Sequence, residues 1–269
     1  MLDFVSKLRY DVNDLRKLMS LLCSENGCPW DREQTHESIR RNMLEEAYEA
    51  AEAIDSNNAE HLIEELGDVL MQVVFHADIA ERANEFTLDD IADATCKKLI
   101  RRHPHVFGDV KAETGDNYLA FWDDMKRKEK HHETTSDIMN SVASSLPALW
   151  RAEKIQKKAA KVGFDWPDHT GAMSSLRTEL AELEKSIDSN SNIEEEIGDL
   201  IFSAVNLARF FDIDPENALN ATSTKFIKRF AGIESMATQQ SKKLEDMSLD
   251  EMEELYQLVK CAQLKELEK

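Results

Sequence analysis

Two short acidic runs carry the chemistry that this sequence offers. Leu44-Glu45-Glu46-Ala47-Tyr48-Glu49 is followed, about one helix later, by Glu64-Glu65-Leu66-Gly67-Asp68. Carboxylates three and four residues apart share one face of a helix, so Glu46 and Glu49 form one acidic ledge and Glu65 and Asp68 another. Between them Asp55-Ser56-Asn57-Asn58 is a cluster of turn formers, and Leu62, Leu66, Val69, Leu70 and Val73 give the second run an apolar stripe. The reading is an antiparallel helix hairpin on which the ledges face each other. There, repulsion and desolvation are costly unless positive charge sits among the acids. Oxygen ligands without Cys or His suit Mg²⁺ or Mn²⁺ rather than zinc or copper.

One acidic pair means little in a chain with 53 Asp+Glu, where such pairs usually line a solvated face. Here the pattern occurs twice. Glu46/Glu49 recur as Glu179/Glu182, 133 positions on, and Glu65/Asp68 recur as Glu196/Asp199, 131 positions on. Around the second pair, Glu-Glu-Leu-Gly-Asp-Val-Leu at 64–70 matches Glu-Glu-Ile-Gly-Asp-Leu-Ile at 195–201. Lys98 and Arg102 recur as Lys225 and Arg229, and Trp122 with Lys126 as Tyr256 with Lys260. A duplication kept only for structure preserves apolar positions and has no reason to keep acids, bases and an aromatic in the same order. The repeat departs at one place: Glu45 is matched by Thr178, while Glu194 and Glu195 give the second half further acids.

The elements that must position these residues are helices. The 269 residues are 42% hydrophobic and 32% charged with only 8 Gly and 5 Pro, the composition of a mostly helical protein long enough for two domains. Val/Ile/Thr runs of period two are absent. Periodicity predicts helices over Leu2–Leu22, Ile39–Ile54, Ala59–Ala83 and Leu88–Ile100, with a last helix of this half carrying Trp122, Lys126 and a charged run to Lys130. Glu25-Asn26-Gly27-Cys28-Pro29-Trp30-Asp31 reads as a loop whose Trp30 either stacks on a base or anchors the domain. Pro104 makes His103 a helix boundary. His103 and His105, lacking a third partner, read as loop or core residues. Residues 1–130 form one expected domain, 131–140 a polar linker and 141–269 a second domain.

The net charge of −20 argues against a nucleic-acid or anionic-membrane surface, so any bound phosphate needs a bridging metal. No stretch approaches the roughly 18 apolar residues of a membrane span, and the Met1-Leu2-Asp3 start lacks a basic segment before an apolar core; the expectation is a cytoplasmic protein. Cys23, Cys28, Cys96 and Cys261 offer neither a CxxC pair nor a disulfide framework, so they are expected to be reduced. Glu-x-x-His occurs as Glu33/His36 and Glu129/His132, in polar segments unlike the core-facing motif of di-iron bundles.

Two Mg²⁺ ions held by four carboxylates can clamp a polyphosphate and lower the pKa of a bound water from about 15.7 toward neutrality. Lys and Arg neutralise leaving phosphates, Arg bidentately, and an aromatic ring can stack on a base. These parts suit hydrolysis of a nucleoside triphosphate. P-loop, dinucleotide-fold and hydrolase-elbow motifs are missing from the sequence. The rival reading is a non-catalytic acidic helical module that binds a basic partner or a regulatory metal; a third is a phosphohydrolase that releases orthophosphate.

Glu45-Glu46-x-x-Glu49 followed by Glu65-x-x-Asp68 resembles the acidic signature of the all-α nucleotide pyrophosphohydrolases, and the duplicated layout resembles the two-domain MazG proteins. The resemblance extends over Asn26 to Asp31, Arg101-Arg102-His103-Pro104-His105-Val106-Phe107, Ser145-Leu146-Pro147-Ala148-Leu149, Lys154-Ile155-Gln156-Lys157 and Val162-Gly163-Phe164-Asp165-Trp166. It implies an all-α protein of two tandem helical-bundle domains, each built on an acidic hairpin. It also implies a homodimer that cleaves nucleoside triphosphates between the α and β phosphates with Mg²⁺, as housekeeping over nucleotide pools. Carried over by position, the metal ligands are Glu46, Glu49, Glu65 and Asp68, then Glu179, Glu182, Glu196 and Asp199. Glu45, Glu46 and Glu179 are the candidate catalytic acids. Lys225, Arg229 and Tyr256, with Lys260 and the counterparts Lys98, Arg102, Trp122 and Lys126, are the candidate nucleotide contacts. Thr178 leaves two roles open for the acid it replaces: a base, whose loss impairs the second site, or a dispensable group.

Overall fold

The computed structural model describes Phe4, residues 6–108 and residues 134–267. Trp122, Lys126, the helix expected around them and the Glu129/His132 motif lie outside the described residues. Every regular element among the described residues is helical, and they fall into two compact units, one before residue 109 and one after residue 133.

In the first unit α1 spans Val12–Leu22, α2 Pro29–Glu33, α3 Arg40–Asp55, α4 Ala59–Arg82, α5 Leu88–Arg102 and α6 Pro104–Phe107. The helix expected from Leu2 starts only at Val12. Asp11 and Asp14 form a reciprocal capping box that satisfies the first free backbone N–H groups, so the helix begins there although the apolar spacing continues upstream. Leu8, which fits that spacing, is fully exposed. The second half of the expected loop at Glu25–Asp31 is the short helix α2, which opens with Pro29 at a position where a missing N–H costs nothing.

Helices α3 and α4 pack as an antiparallel hairpin. Its turn is built from the expected residues: Asn57 is left-handed at φ 53°, and the Asn58 side chain accepts from the N–H groups of Glu60 and His61. Ala50 and Ala53 are buried in α3 and let the two backbones approach. The opposite end of α4 enters the core, where Val74 and Phe75 pack with Met19, Cys23 and Ile39. All four cysteines are free thiols; burial, with Asp78 nearby, pushes the Cys23 thiol up to about 12, so it is inert at neutral pH.

In the second unit α7 spans Thr135–Asn140, α8 Ala148–Ala160, α9 His169–Ser189, α10 Ile193–Phe210, α11 Pro215–Gln239 and α12 Leu249–Leu267, with a short 3₁₀ turn at Leu244–Asp246. Helix α7 lies inside the segment expected to be a linker; Thr134 and Asp137 cap it, and it packs on α8. Helices α9 and α10 repeat the hairpin, and their turn again uses left-handed asparagines, Asn190 and Asn192. Helices α11 and α12 close on Ile233, Ala237, Met247 and Leu255. Trp150 of α8 donates its indole N–H to Asp214 at 2.9 Å, tying α8 to the start of α11.

Gly67 and Gly198 occupy matching places inside α4 and α10, and a Cβ on either would meet open space. Gly27 is different: a Cβ there would lie 2.1 Å from the carbonyl oxygen of Leu22 and 2.3 Å from that of Leu21. Gly27→Ala is therefore expected to destabilise the protein by about 1–3 kcal/mol, because backbone must shift to admit the methyl group; chemical denaturation measures the loss.

Candidate active site

Each hairpin gathers acids from both of its helices. In the first, Glu46 and Glu49 come from α3 and Glu65 from α4, and each offers a carboxylate oxygen within 4.8 Å of the others. In the second, Glu179 comes from α9 and Glu196 and Asp199 from α10, with the same mutual limit of 4.8 Å. Asp68 and Glu182 stand just outside these trios but act on them. Burial raises the Glu46 carboxyl above its ordinary range, and the charges of Asp68, Glu49 and Glu65 raise it further. Burial likewise raises Glu179, followed by Glu182, Asp199 and Glu196. All eight positions expected to bind metal thus belong to one of two electrostatically coupled groups.

The surroundings differ between the halves. Glu65 is 9% exposed, and His61 Nε2 lies 3.1 Å from its carboxylate. Glu45 is turned to Arg41, 2.8 Å away on the same helix, rather than into the trio. At the matching position Thr178 folds back to donate its hydroxyl to the Ser174 carbonyl, so it presents no substitute acid. Glu194 and Glu195 lie in the first turn of α10, where they complement the helix dipole.

Among the basic and aromatic residues, Arg229 and Tyr256 are in contact. Arg229 of α11 donates to the Tyr256 hydroxyl and to Gln263 of α12, both at 3.1 Å, and its guanidinium lies 5.6 Å from the centre of the Tyr256 ring. Tyr256 also packs beside Phe226 and within the α11–α12 core. The ring expected to stack on a base therefore holds an arginine in place. Lys225 is exposed and Lys260 half-buried on the same helix pair. Lys98 and Arg102 sit on α5, Arg102 in its last turn. Trp30, at 59% exposure, is not a core anchor.

Gln72 is a neighbour of the site that the acidic spacing does not point to. It lies one turn beyond Asp68 on α4, is buried, and its amide partly offsets the rise of the Glu46 carboxyl. A polar residue in an otherwise apolar stretch of helix was the available signal.

The donor set fits a hard divalent cation. Six carboxylate oxygens in two trios, each within 4.8 Å, can converge on ions that prefer oxygen at about 2.1 Å, and the raised Glu46 and Glu179 mark where positive charge is most wanted.

The MazG nucleotide pyrophosphohydrolase domain matches this chain twice, at residues 34–107 and 168–231, segments that contain the two acidic hairpins. The nucleoside triphosphate pyrophosphohydrolase/pyrophosphatase MazG of Thermotoga maritima is 44% identical over 247 residues, covering 92% of this chain and 94% of that protein. The nucleoside triphosphate pyrophosphohydrolase of Escherichia coli K12 is 38% identical over 257 residues, covering 93% and 98%. YabN of Bacillus subtilis, an uncharacterised protein, is 44% identical over 252 residues, which make up 51% of its length. With the domain present in both halves and relatives aligned almost end to end, the chain belongs to the MazG nucleotide pyrophosphohydrolase family.

Proposed function

We propose that this protein is a Mg²⁺-dependent enzyme that hydrolyses nucleoside triphosphates to the monophosphate and pyrophosphate. The observation that carries the reading is the doubled carboxylate trio, each centred on a carboxyl held above its ordinary range by burial and its neighbours. The names of the relatives from Thermotoga maritima and Escherichia coli support the same activity. Mg²⁺, with Mn²⁺ as a substitute, would be held by Glu46, Glu49, Glu65 and Asp68 in one half and by Glu179, Glu182, Glu196 and Asp199 in the other. When bound it supplies a Lewis acid for the phosphate oxygens and a more acidic water.

The chain's own residues do the positioning. Glu65, buried and braced by His61, fixes one side of the first cluster, and the α3–α4 packing fixes Glu46 opposite it. Arg229, held by Tyr256 and Gln263, is the arginine assigned to phosphate charge in the second half. Glu45, paired with Arg41, is a candidate base only after that pair opens. The substrate is a nucleotide and not a nucleic acid, in keeping with the net charge of −20. No helix among the described residues is long and apolar enough to cross a membrane. A cytoplasmic role in keeping nucleotide pools clean follows from the proposed reaction.

The exposed Ile63, Leu66 and Leu70 of α4 and Ile197, Ile201 and Phe202 of α10 support a homodimer, since so much apolar surface along two helices is unusual on a monomer. Sedimentation should give twice the chain mass of 30.8 kDa; a monomer at micromolar concentration excludes this arrangement.

Product analysis tests the reaction. Triphosphates with Mg²⁺ should yield pyrophosphate and monophosphate, and the double variant Glu46→Gln/Glu179→Gln should lose at least about 100-fold in turnover. Orthophosphate as the product, or full activity in the double variant, rejects the assignment; metal binding without turnover favours a regulatory module.

The raised carboxyls also predict a pH response. A carboxyl whose folded pKa exceeds its unfolded value favours the fold when protonated, so its contribution is complete below the ordinary value of 4.5 and is lost as pH rises through the folded value. In chelator, the melting temperature should therefore fall as the pH rises above 4.5, more in the parent than in Glu46→Gln/Glu179→Gln. Mg²⁺ should flatten the difference, because the cation replaces the proton as the compensating charge.

A further inference from the structure

His36, of the Glu33/His36 motif, sits in the turn between α2 and α3, and His76 lies on α4, two turns beyond Asp68. Their Nδ1 atoms are 2.7 Å apart, their ring centres 5.0 Å apart and their planes 9° from parallel. A nitrogen separation well below the roughly 3.5 Å of face-to-face contact means that the rings meet edge to edge. One Nδ1 therefore carries a hydrogen and the other accepts it. Both rings are half-buried, and Phe86 flanks His36 with its ring centre 6.4 Å away. Among the described residues, no protein group hydrogen-bonds the Nε2 of either ring.

The second unit keeps one half of this pair. His169 stands 133 positions after His36, the offset that relates Glu46 to Glu179, and it meets the Phe211 ring at 5.3 Å and 48°. The residue 131 positions after His76, the offset that relates Asp68 to Asp199, is Leu207.

The hydrogens can be counted. In the neutral pair the donor ring has a bare Nε2, and the acceptor ring carries its hydrogen there. A first added proton goes to the bare Nε2 and makes the donor an imidazolium, which strengthens the bond. A second can go only to the acceptor's Nδ1, where it removes the bond and sets two cations against each other. Burial, then the charge of His36, lowers His76 below its ordinary 6.5, so His76 is the acceptor and the last to be protonated. Among the described residues, His36 is the one charged group that acts on His76. On the turn and the start of α3, Glu37 feels both His36 and Arg40. On α4, Asp78 is paired with Arg82 at 2.9 Å, and the α4–α5 turn presents the apolar Phe86.

We propose that His36 and His76 form a proton-operated latch of the first unit: their N–H···N bond holds the α2–α3 turn on α4 while the pair carries at most one added proton, and the second proton opens it. The latch joins the two acid-bearing helices, α3 with Glu46 and Glu49 and α4 with Glu65 and Asp68, at the end of the hairpin away from its Asn57 turn. Because the folded pKa of His76 is depressed, the contribution of the bond is present above 6.5 and is lost as the pH falls through the folded value. Acid thus loosens the first hairpin by a route that the second, with Leu207, does not have. The latch does not depend on the reaction assigned above.

Hydrogen exchange of the full chain tests it, read by mass spectrometry over residues 34–43 and corrected for the intrinsic effect of pH. The Ile39 amide in that segment is bonded to the Thr35 carbonyl at 3.3 Å and reports on the turn. In the parent, protection should fall roughly ten-fold between about pH 7.5 and about pH 5. His76→Asn places an amide where the imidazole has Nδ1, able to pair with His36 in either protonation state, and should keep its protection across that range. His76→Leu, which copies the second unit, should be poorly protected at both pH values. A parent segment equally protected at both pH values overturns the proposal, and so does His76→Leu with the parent's protection at the higher pH. A His76→Asn variant that loses protection as the parent does also overturns it, because the acid then acts on other groups. Should the leucine variant not fold, the parent and His76→Asn still decide.

Discussion

Everything in this structure answers to the cost of holding carboxylates together. Two unit charges about 4 Å apart repel by roughly 1 kcal/mol in water and about 4 kcal/mol near a protein surface, and each hairpin brings three acids within 4.8 Å of one another. Such a cluster persists only if the scaffold is stable for other reasons. The scaffold here is: the second half of α4 is buried through Val74 and Phe75, which pack with Met19, Cys23 and Ile39. The hairpin is thus anchored at its apolar end and charged at its other end, and the unfavourable part is carried by the favourable one.

The same constraint explains why the supporting details are local and polar. Asparagines in the left-handed conformation turn both hairpins tightly, so the acid-bearing turns of the two helices lie opposite each other rather than drifting out of register. His61 braces Glu65, and Arg41 draws Glu45 aside. Arg229 is restrained by two partners on α12, which lowers the entropy lost when it meets an anion.

Much of this was legible in the sequence because it rests on local rules. The start of α4 at Ala59, the start of α5 at Leu88 and the break at His103 follow from Asn58, Thr87 and Pro104, residues whose backbone preferences act within a turn. The pairing of Glu46/Glu49 with Glu65 follows from helical spacing and a short turn. The start of α1 differs from the expected one because apolar periodicity extends through Leu8, whereas the Asp11/Asp14 capping box decides where the first turn is satisfied. Glu45 and Tyr256 are expected at the site by order and type, and their contacts with Arg41 and Arg229 are set by side-chain geometry that spacing does not contain. Gln72 was overlooked because one uncharged residue in an apolar helix gives no pattern to count.

The glycines inside α4 and α10 have a further consequence. Neither is needed for a turn or for packing within its unit, since a Cβ on either meets nothing, yet each lowers the stability of its helix by roughly 0.5–1 kcal/mol relative to alanine. Both fall between the two acids that their helix supplies, Glu65 and Asp68 or Glu196 and Asp199. Each hairpin thus places a residue poorly suited to a helix in the turn that bears the charge, while Val74 and Val205 further along are buried.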